Sequence, residues 1–376
     1  MTVVNSLQHV CRQTICGHLM LRPRASIAGL SPYHSPILSR AGLSLDLNES
    51  MAGCSPRVLQ RLHTLSAADV SLYPQREIGE RLIANFLRIT PDQVLLTNGI
   101  DEALWLLFAT YLSPGDELLI ADPTFVMYPM LGHALGAQVM RAQSGEDLTL
   151  PVTDLLARIS ARTRVIAIAN PNNPTGLATS RAELLRIAEG APDAAVLIDE
   201  AYFEFCGGAL TCRTLIPDLE RHPNLFVART FSKAYGLAGL RLGVLTGAAE
   251  QIDYLRRLSL PFNVNAMALA CLEEALADRS FVSEHVAQVK RGRDRLAQLF
   301  TELSLRFWPS HTNFVLVRVG APAKTFVEAM QRHGILVRDS SANPGCEGCV
   351  RITVGTPQQM DGVLQAIREA IAETRR

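Results

Sequence analysis

Ala194-Ala195-Val196-Leu197-Ile198-Asp199-Glu200 and Leu225-Phe226-Val227-Ala228-Arg229-Thr230-Phe231-Ser232-Lys233 are the stretches whose reading decides the fold. Each is a short apolar run that stops abruptly at a group capable of chemistry, a carboxylate in the first and an amine in the second. Uninterrupted apolar runs of this length predict strands covered on both faces, as in a parallel sheet. Working outward, Val94-Leu95-Leu96-Thr97 is a third strand, turned at Asn98-Gly99 into a helical pattern through Leu104, Trp105, Leu107 and Phe108. Ser113-Pro114-Gly115-Asp116 breaks that helix, and Glu117 to Ile120 gives a further strand. Arg164 to Ala169 is another, running into Asn170-Pro171-Asn172-Asn173-Pro174-Thr175-Gly176. Strands alternating with helices from about Val94 to Gly247 predict an α/β fold, a mainly parallel sheet flanked by helices. Ligands of such sheets gather at the carboxyl ends of the strands. Asn98, Asn173, Asp199 and Lys233 all fall there.

After Pro261 the pattern changes. Ala266 to Phe300 is helix-rich, and Thr312–Val319 and Val350–Val354 read as strands around one more helical stretch, which predicts a smaller α+β domain. The expected organisation is an extension at 1–20, an N-terminal arm at 21–70 contributing to the small domain, a large domain at 71–262 and a small C-terminal domain at 263–376. No internal repeat or low-complexity segment interrupts it.

The chain has 376 residues, 48% hydrophobic, with Lys plus Arg and Asp plus Glu equal at 36 each. A net charge of zero argues against a nucleic-acid or anionic-membrane partner, which calls for a basic surface. No apolar run reaches the roughly 18 residues of a membrane span. The expectation is a soluble enzyme or carrier in the cytoplasm. Eight cysteines are scattered along the chain, which argues against a disulfide framework and for reduced thiols. Cys346 and Cys349 form a C-x-x-C with no second ligand pair, so no metal site is expected. The first 45 residues lack Asp and Glu and carry Arg12, Arg22, Arg24 and Arg40, a composition shared by transit peptides; a plain N-terminal arm is the preferred reading.

An aldehyde cofactor with a phosphate tail needs a lysine to bond the aldehyde and an acid against its pyridine nitrogen. It also needs a helix N-terminus, hydroxyls and an arginine for the phosphate. The chain supplies each in order. Gly99-Ile100-Asp101 lies between strand and helix, Asn173, Asp199 and Tyr202 follow two strand ends, Ser232 and Lys233 follow a third, and Arg241 closes Gly239-Leu240-Arg241-Leu242-Gly243. Alone, Asp101 reads as a helix N-cap, Asn172–Gly176 as a turn and Lys233 as a solvated side chain. Their combination is what points to a site.

Asn-Pro-Asn-Asn-Pro-Thr-Gly (170–176), Asp-Glu-Ala-Tyr-Phe-Glu-Phe (199–205) and Arg-Thr-Phe-Ser-Lys-Ala-Tyr-Gly-Leu-Ala-Gly-Leu-Arg-Leu-Gly (229–243) resemble the fold-type I aminotransferases, and among them the histidinol-phosphate branch. The resemblance runs from about Leu21 to the C-terminus. It includes Leu21-Arg22-Pro23, Ser31-Pro32-Tyr33, Leu47-Asn48-Glu49, Tyr73-Pro74, Pro261-Phe262-Asn263-Val264-Asn265 and Arg351-Ile352-Thr353-Val354-Gly355-Thr356. It implies pyridoxal 5′-phosphate as cofactor, bonded to Lys233, with Asp199 on the pyridine nitrogen and Asn173 and Tyr202 on the phenolic oxygen. It implies that Gly99, Ile100 and Asp101, with Thr230, Ser232 and Arg241, surround the phosphate. Phe125 stands where an aromatic stacks on the ring, with Tyr128 as a second candidate. Tyr73 is expected to reach the cofactor of a partner subunit, which makes a homodimer with shared sites necessary. Arg351, Arg338, Tyr33 and Asn48 are the expected substrate contacts. The implied reaction moves an amino group from histidinol phosphate to 2-oxoglutarate in histidine biosynthesis. An aromatic amino-acid aminotransferase, a threonine-phosphate decarboxylase and a catalytically silent regulator on the same fold remain as alternatives. Ser50-Met51 departs from the family's usual proline, so the loop over the substrate is expected to differ.

Overall fold

The apolar runs do form the middle of one sheet. A computed structural model describes residues 21–32, 42–208, 212–321 and 323–375. After a short strand β1 (Leu43–Ser44) come the seven strands of the main sheet, β2 (Val94–Asn98), β3 (Glu117–Asp122), β4 (Gln138–Gln143), β5 (Thr163–Ala169), β6 (Ala195–Asp199), β7 (Leu225–Thr230) and β8 (Leu242–Thr246). Their order is β2-β8-β7-β6-β5-β3-β4. β8 is antiparallel to both its neighbours, and the other pairs are parallel. β2 therefore runs with β7, and every strand but β8 ends on the same edge.

The sheet is covered on both faces, which explains the unbroken apolar runs. On one face the helix Ile100–Tyr111 packs Leu104, Leu107 and Phe108 against Leu118, Ile120 and Leu197. On the other, the helix Arg181–Gly190 starts at a capping box between Ser180 and Glu183 and sets Leu184 and Ile187 against Ile166, Val196 and Ile198. β4 and β8 were not anticipated from the sequence. β4 is an edge strand carrying Gln138, Arg141 and Gln143, so it lacks the apolar signature. β8 is wholly buried, but with Gly239, Gly243 and Gly247 in and around it the sequence reading assigned it no element.

The C-terminal part holds β9 (Arg306–Phe307), β10 (Phe314–Arg318), β11 (Ile335–Leu336), β12 (Arg338–Asp339) and β13 (Cys349–Thr353). Four of these form an antiparallel sheet of order β12-β13-β10-β9. β1 pairs in parallel with β11, Leu43 with Ile335 and Ser44 with Leu336, which ties the N-terminal arm to this part of the chain. One core runs from β2 and β8 through Phe314, Val350 and Ile352, joining the two sheets. The closing helix Pro357–Thr374, capped by Thr356 and Gln359, is an element the sequence reading left unassigned.

The thiols depart from expectation in one place. Cys206 and Cys212 are joined by a disulfide, their Cα atoms 5.9 Å apart. Pairing requires the two Cα atoms to lie within about 7 Å, a proximity that cysteine spacing alone does not reveal. Cys54, Cys271, Cys346 and Cys349 are free. Among the described residues no helix is long and apolar enough to cross a membrane.

Gly243 is where the sheet meets the helix Ile100–Tyr111. A Cβ there would lie 2.5 Å from the Gly99 carbonyl carbon and 2.7 Å from the Ile100 nitrogen, both rigid backbone. Gly243→Ala should therefore cost about 1–3 kcal/mol in urea unfolding. A midpoint equal to the parent's would show that this junction has room to spare.

Candidate active site

The shared strand edge and the C-terminal sheet enclose a cavity of about 610 Å³. Lys233 lies on the loop from β7 to β8, a turn closed by Gly236 N–H donating to Lys233 O at 3.1 Å. Its Nζ donates to Leu47 O at 3.1 Å, so the arm touches the amine directly. Burial lowers the Lys233 pKa to about 8, and the Arg351 charge pulls it the same way, against the opposing pull of Glu49 and Asp101. About a tenth of the amine is thus neutral and nucleophilic at pH 7, far more than for an ordinary lysine.

Asp199 ends β6 and is buried. Its Oδ1 accepts from Ala201 N–H at 3.0 Å and its Oδ2 from the Tyr128 hydroxyl at 2.8 Å. Burial pushes its pKa up to about 6, helped by the nearby Asp101 and Glu200 charges, while the two donated bonds hold it down. A carboxylate so placed suits a cationic nitrogen, which would complete its ionisation. Tyr128 corrects the sequence reading. It is no ring-stacking candidate but fully buried, edge-on to Phe125 at 5.7 Å between centroids. Only its place one helical turn beyond Phe125 hinted at this, and that spacing has many other meanings.

At the other end, Gly99 (φ 76°) precedes the helix Ile100–Tyr111, whose N-terminus no side chain caps. Asp101 is thus not the N-cap. It lies inside the first turn and accepts from Arg241 Nη2 at 3.0 Å. Gly99 holds a backbone conformation (φ 76°, ψ 171°) that essentially only glycine adopts, and its missing side chain leaves room for the Arg241 guanidinium. The Thr230 hydroxyl donates to Ser232 Oγ at 3.0 Å. Ile100, Asp101, Thr230, Ser232 and Arg241 line the cavity, forming a cradle of helix N–H groups, hydroxyls and one arginine that fits a phosphate. Lys233, Asp199 and this cradle together fit the aldehyde, the pyridine nitrogen and the phosphate of one pyridoxal phosphate.

The remaining wall comes from the arm and the C-terminal sheet. Asn48 holds left-handed backbone (φ 56°), and its Nδ2 donates to the Tyr202 hydroxyl at 2.9 Å. Arg351 donates to Asn173 Oδ1 at 2.5 Å and to Asp46 O at 2.6 Å. Arg338 on β12 is in register with Arg351 on β13, and both line the cavity. Like charges directly opposite destabilise a sheet, so this pair marks a place for an anion. Arg338 and the adjacent Asp339 form no salt bridge. Asp339 Oδ1 accepts from Ser341 N–H at 2.8 Å, and Arg338 has no ion pair among the described residues. Phe125, Asn173 and Tyr202 also line the cavity. Tyr73 lies outside it, 77% exposed and stacked on Phe262 with centroids 4.2 Å apart. Tyr33 lies outside the described residues.

Reductive labelling of Lys233 by a small aldehyde, in protein freed of small molecules, should rise with pH through about 8, as the neutral amine appears. Arg351→Gln removes a positive neighbour and should move that midpoint upward. A parent midpoint near the ordinary 10.5 would contradict the burial argument.

Comparison with known proteins agrees with this geometry. The sequence profile of the family "Aminotransferase class I and II" matches residues 42–367. The histidinol-phosphate aminotransferase of Dehalococcoides mccartyi (strain CBDB1) is 34% identical over 353 residues, 91% of this chain and 95% of that protein. Histidinol-phosphate aminotransferase 1 of Bacillus anthracis is 34% identical over 334 residues, 88% of this chain and 89% of that one. The crystal structure of histidinol-phosphate aminotransferase from Sinorhizobium meliloti, in complex with pyridoxal-5′-phosphate, superposes with a TM-score of 0.87 at 26% identity, covering 94% of this chain and 98% of that one.

Proposed function

The chain belongs to the aminotransferase class I and II family, and within it we propose a pyridoxal-5′-phosphate enzyme of histidine biosynthesis that moves the amino group of histidinol phosphate to 2-oxoglutarate. The observation that carries the choice of substrate is the Arg338–Arg351 pair facing the cavity that also holds Lys233 and Asp199. Both substrates bring two negative charges, on one phosphate in the donor and on two carboxylates in the acceptor. Two arginines in register suit either.

When bound, pyridoxal phosphate supplies an aldehyde for the amine and a ring that accepts electrons from the donor's α-carbon. Lys233 would hold that aldehyde, and its Nζ, when not so engaged, would take the α-proton and hand it on. Asp199 holds the ring nitrogen cationic. Asn173 and Tyr202 would orient the phenolic oxygen, Phe125 would cover a ring face, and Gly99, Ile100, Asp101, Thr230, Ser232 and Arg241 would hold the phosphate. Arg351 already spans Asn173 and the arm, so an anion arriving there meets a group tied to the cofactor wall. Asn48, bonded to the Tyr202 hydroxyl, links that wall to the substrate side.

The partner in this reading is a second copy of the chain. Val70 and Leu72 beside Tyr73, and Leu260 beside Phe262, are large apolar side chains left exposed next to the two members of the Tyr73–Phe262 stack. Such a patch fits a protein interface, with Tyr73 offered to the neighbouring site. We assign the enzyme to the cytoplasm, acting on small metabolites.

The test offers histidinol phosphate, phenylalanine and phosphothreonine separately with 2-oxoglutarate and measures glutamate and carbon dioxide. Glutamate should form with histidinol phosphate, and Lys233→Ala should form none. Arg338→Gln should raise the KM for histidinol phosphate roughly 10- to 100-fold, the scale of a lost hydrogen bond to a charged group. Glutamate from phenylalanine alone would move the substrate, and carbon dioxide from phosphothreonine would replace transamination with decarboxylation.

A further inference from the structure

Tyr128 has no relative exposure at all, and a buried phenol needs a partner for its hydroxyl. That partner is Asp199 Oδ2, at 2.8 Å. The ring cannot drift, because Phe125 meets it edge-on at 5.7 Å and Phe108 lies tilted at 6.4 Å. Tyr128 belongs to the helix Met127–Leu135, one turn beyond Phe125, so one short segment carries both the residue that covers the cofactor ring and the donor to its acid.

We infer that Tyr128 is a positioning residue for the amino transfer, holding Asp199 ionised and fixed in orientation for the cofactor's pyridine nitrogen. The inference rests on the pyridoxal-phosphate reading above. Three features make a donor necessary. Asp199 is buried, Asp101 faces it from the helix Ile100–Tyr111, and Glu200 follows it in the chain. Each disfavours a second negative charge. Glu200 is itself paired with Arg229 at 2.7 Å and Asp101 with Arg241 at 3.0 Å, which softens both shares and leaves burial as the main cost. The hydroxyl of Tyr202 lies on the same side, but it accepts from Asn48 rather than bonding to Asp199. The bonds that hold the charge are therefore those from Tyr128 and from Ala201 N–H. Burial and the adjacent carboxylate raise the Tyr128 pKa well above its ordinary value, so the phenol remains a donor wherever the enzyme works.

Tyr128→Phe keeps the ring and removes the bond. The carboxyl carbon of Asp199, titrated by NMR in cofactor-free protein, should move its midpoint upward by about one unit or more, the scale of a hydrogen bond to a charged group. The sign follows from which form the bond favours. It stabilises the anion, so its loss leaves Asp199 protonated, and unable to hold a cationic nitrogen, up to a higher pH. On dialysis of the holoenzyme, Tyr128→Phe should retain pyridoxal phosphate roughly tenfold less well than the parent at about pH 6 and lose the difference at about pH 8. Fluorotyrosine placed at position 128 has nearly the same shape and a stronger donor, and should shift both readouts the opposite way, independently of how well the Phe variant folds. An unchanged Asp199 titration in either variant overturns the inference whatever the cofactor does. A shifted titration with unchanged cofactor retention overturns it too, because Asp199 would then not face the pyridine. Failure of the parent to retain pyridoxal phosphate at any pH overturns the underlying reading instead.

Discussion

Burying Asp199 at the end of β6 takes an ionisable group out of water, and much of the site's architecture bears on how that burial is tolerated. A parallel sheet brings strand ends together on one edge, and its covered faces leave that edge as the place where polar groups meet. Asp199 accepts two bonds there, and its remaining capacity faces the cavity. Lys233 shares the same dry environment, which weakens its hold on a proton. One burial thus makes the acid reluctant to ionise and the amine ready to be neutral, and a ring nitrogen with an aldehyde answers both.

The antiparallel strand β8 completes the geometry. Because it returns beside β2 and β7, the loop ahead of it carries Lys233 and then delivers Arg241 to the N-terminus of the helix Ile100–Tyr111. Gly99 and Gly243 permit that approach, each standing where a side chain would strike the guanidinium or the backbone. Arg241 and Asn48 both hold left-handed backbone (φ 53° and 56°), a conformation uncommon outside glycine and found here at two walls of one site. The arm and the C-terminal sheet close the cavity from the far side through Asn48, Arg338 and Arg351.

The central strands and the cofactor wall were legible in the sequence because apolar runs ended in chemically distinctive residues. Asn173, Asp199, Tyr202, Ser232, Lys233 and Arg241 lie together around the cavity as their motifs implied. What escaped had no local signal. β4 is polar because it is an edge, and β8 hides among glycines. The Tyr128–Asp199 bond joins residues 71 positions apart and depends on how a helix packs over the sheet. The Arg338–Arg351 pairing is a matter of strand register, and the Cys206–Cys212 link of the proximity of two Cα atoms. Sequence periodicity reports the faces of elements. It does not report which side chains from distant elements finally touch.

A crystal structure of the purified holoenzyme tests the central claim most directly. The account predicts the phosphate of pyridoxal phosphate among the N–H groups of Ile100 and Asp101, Ser232 and Arg241, the pyridine nitrogen against Asp199, and the aldehyde carbon joined to Lys233 Nζ. A cofactor held elsewhere, or one whose ring nitrogen points away from Asp199, would contradict it.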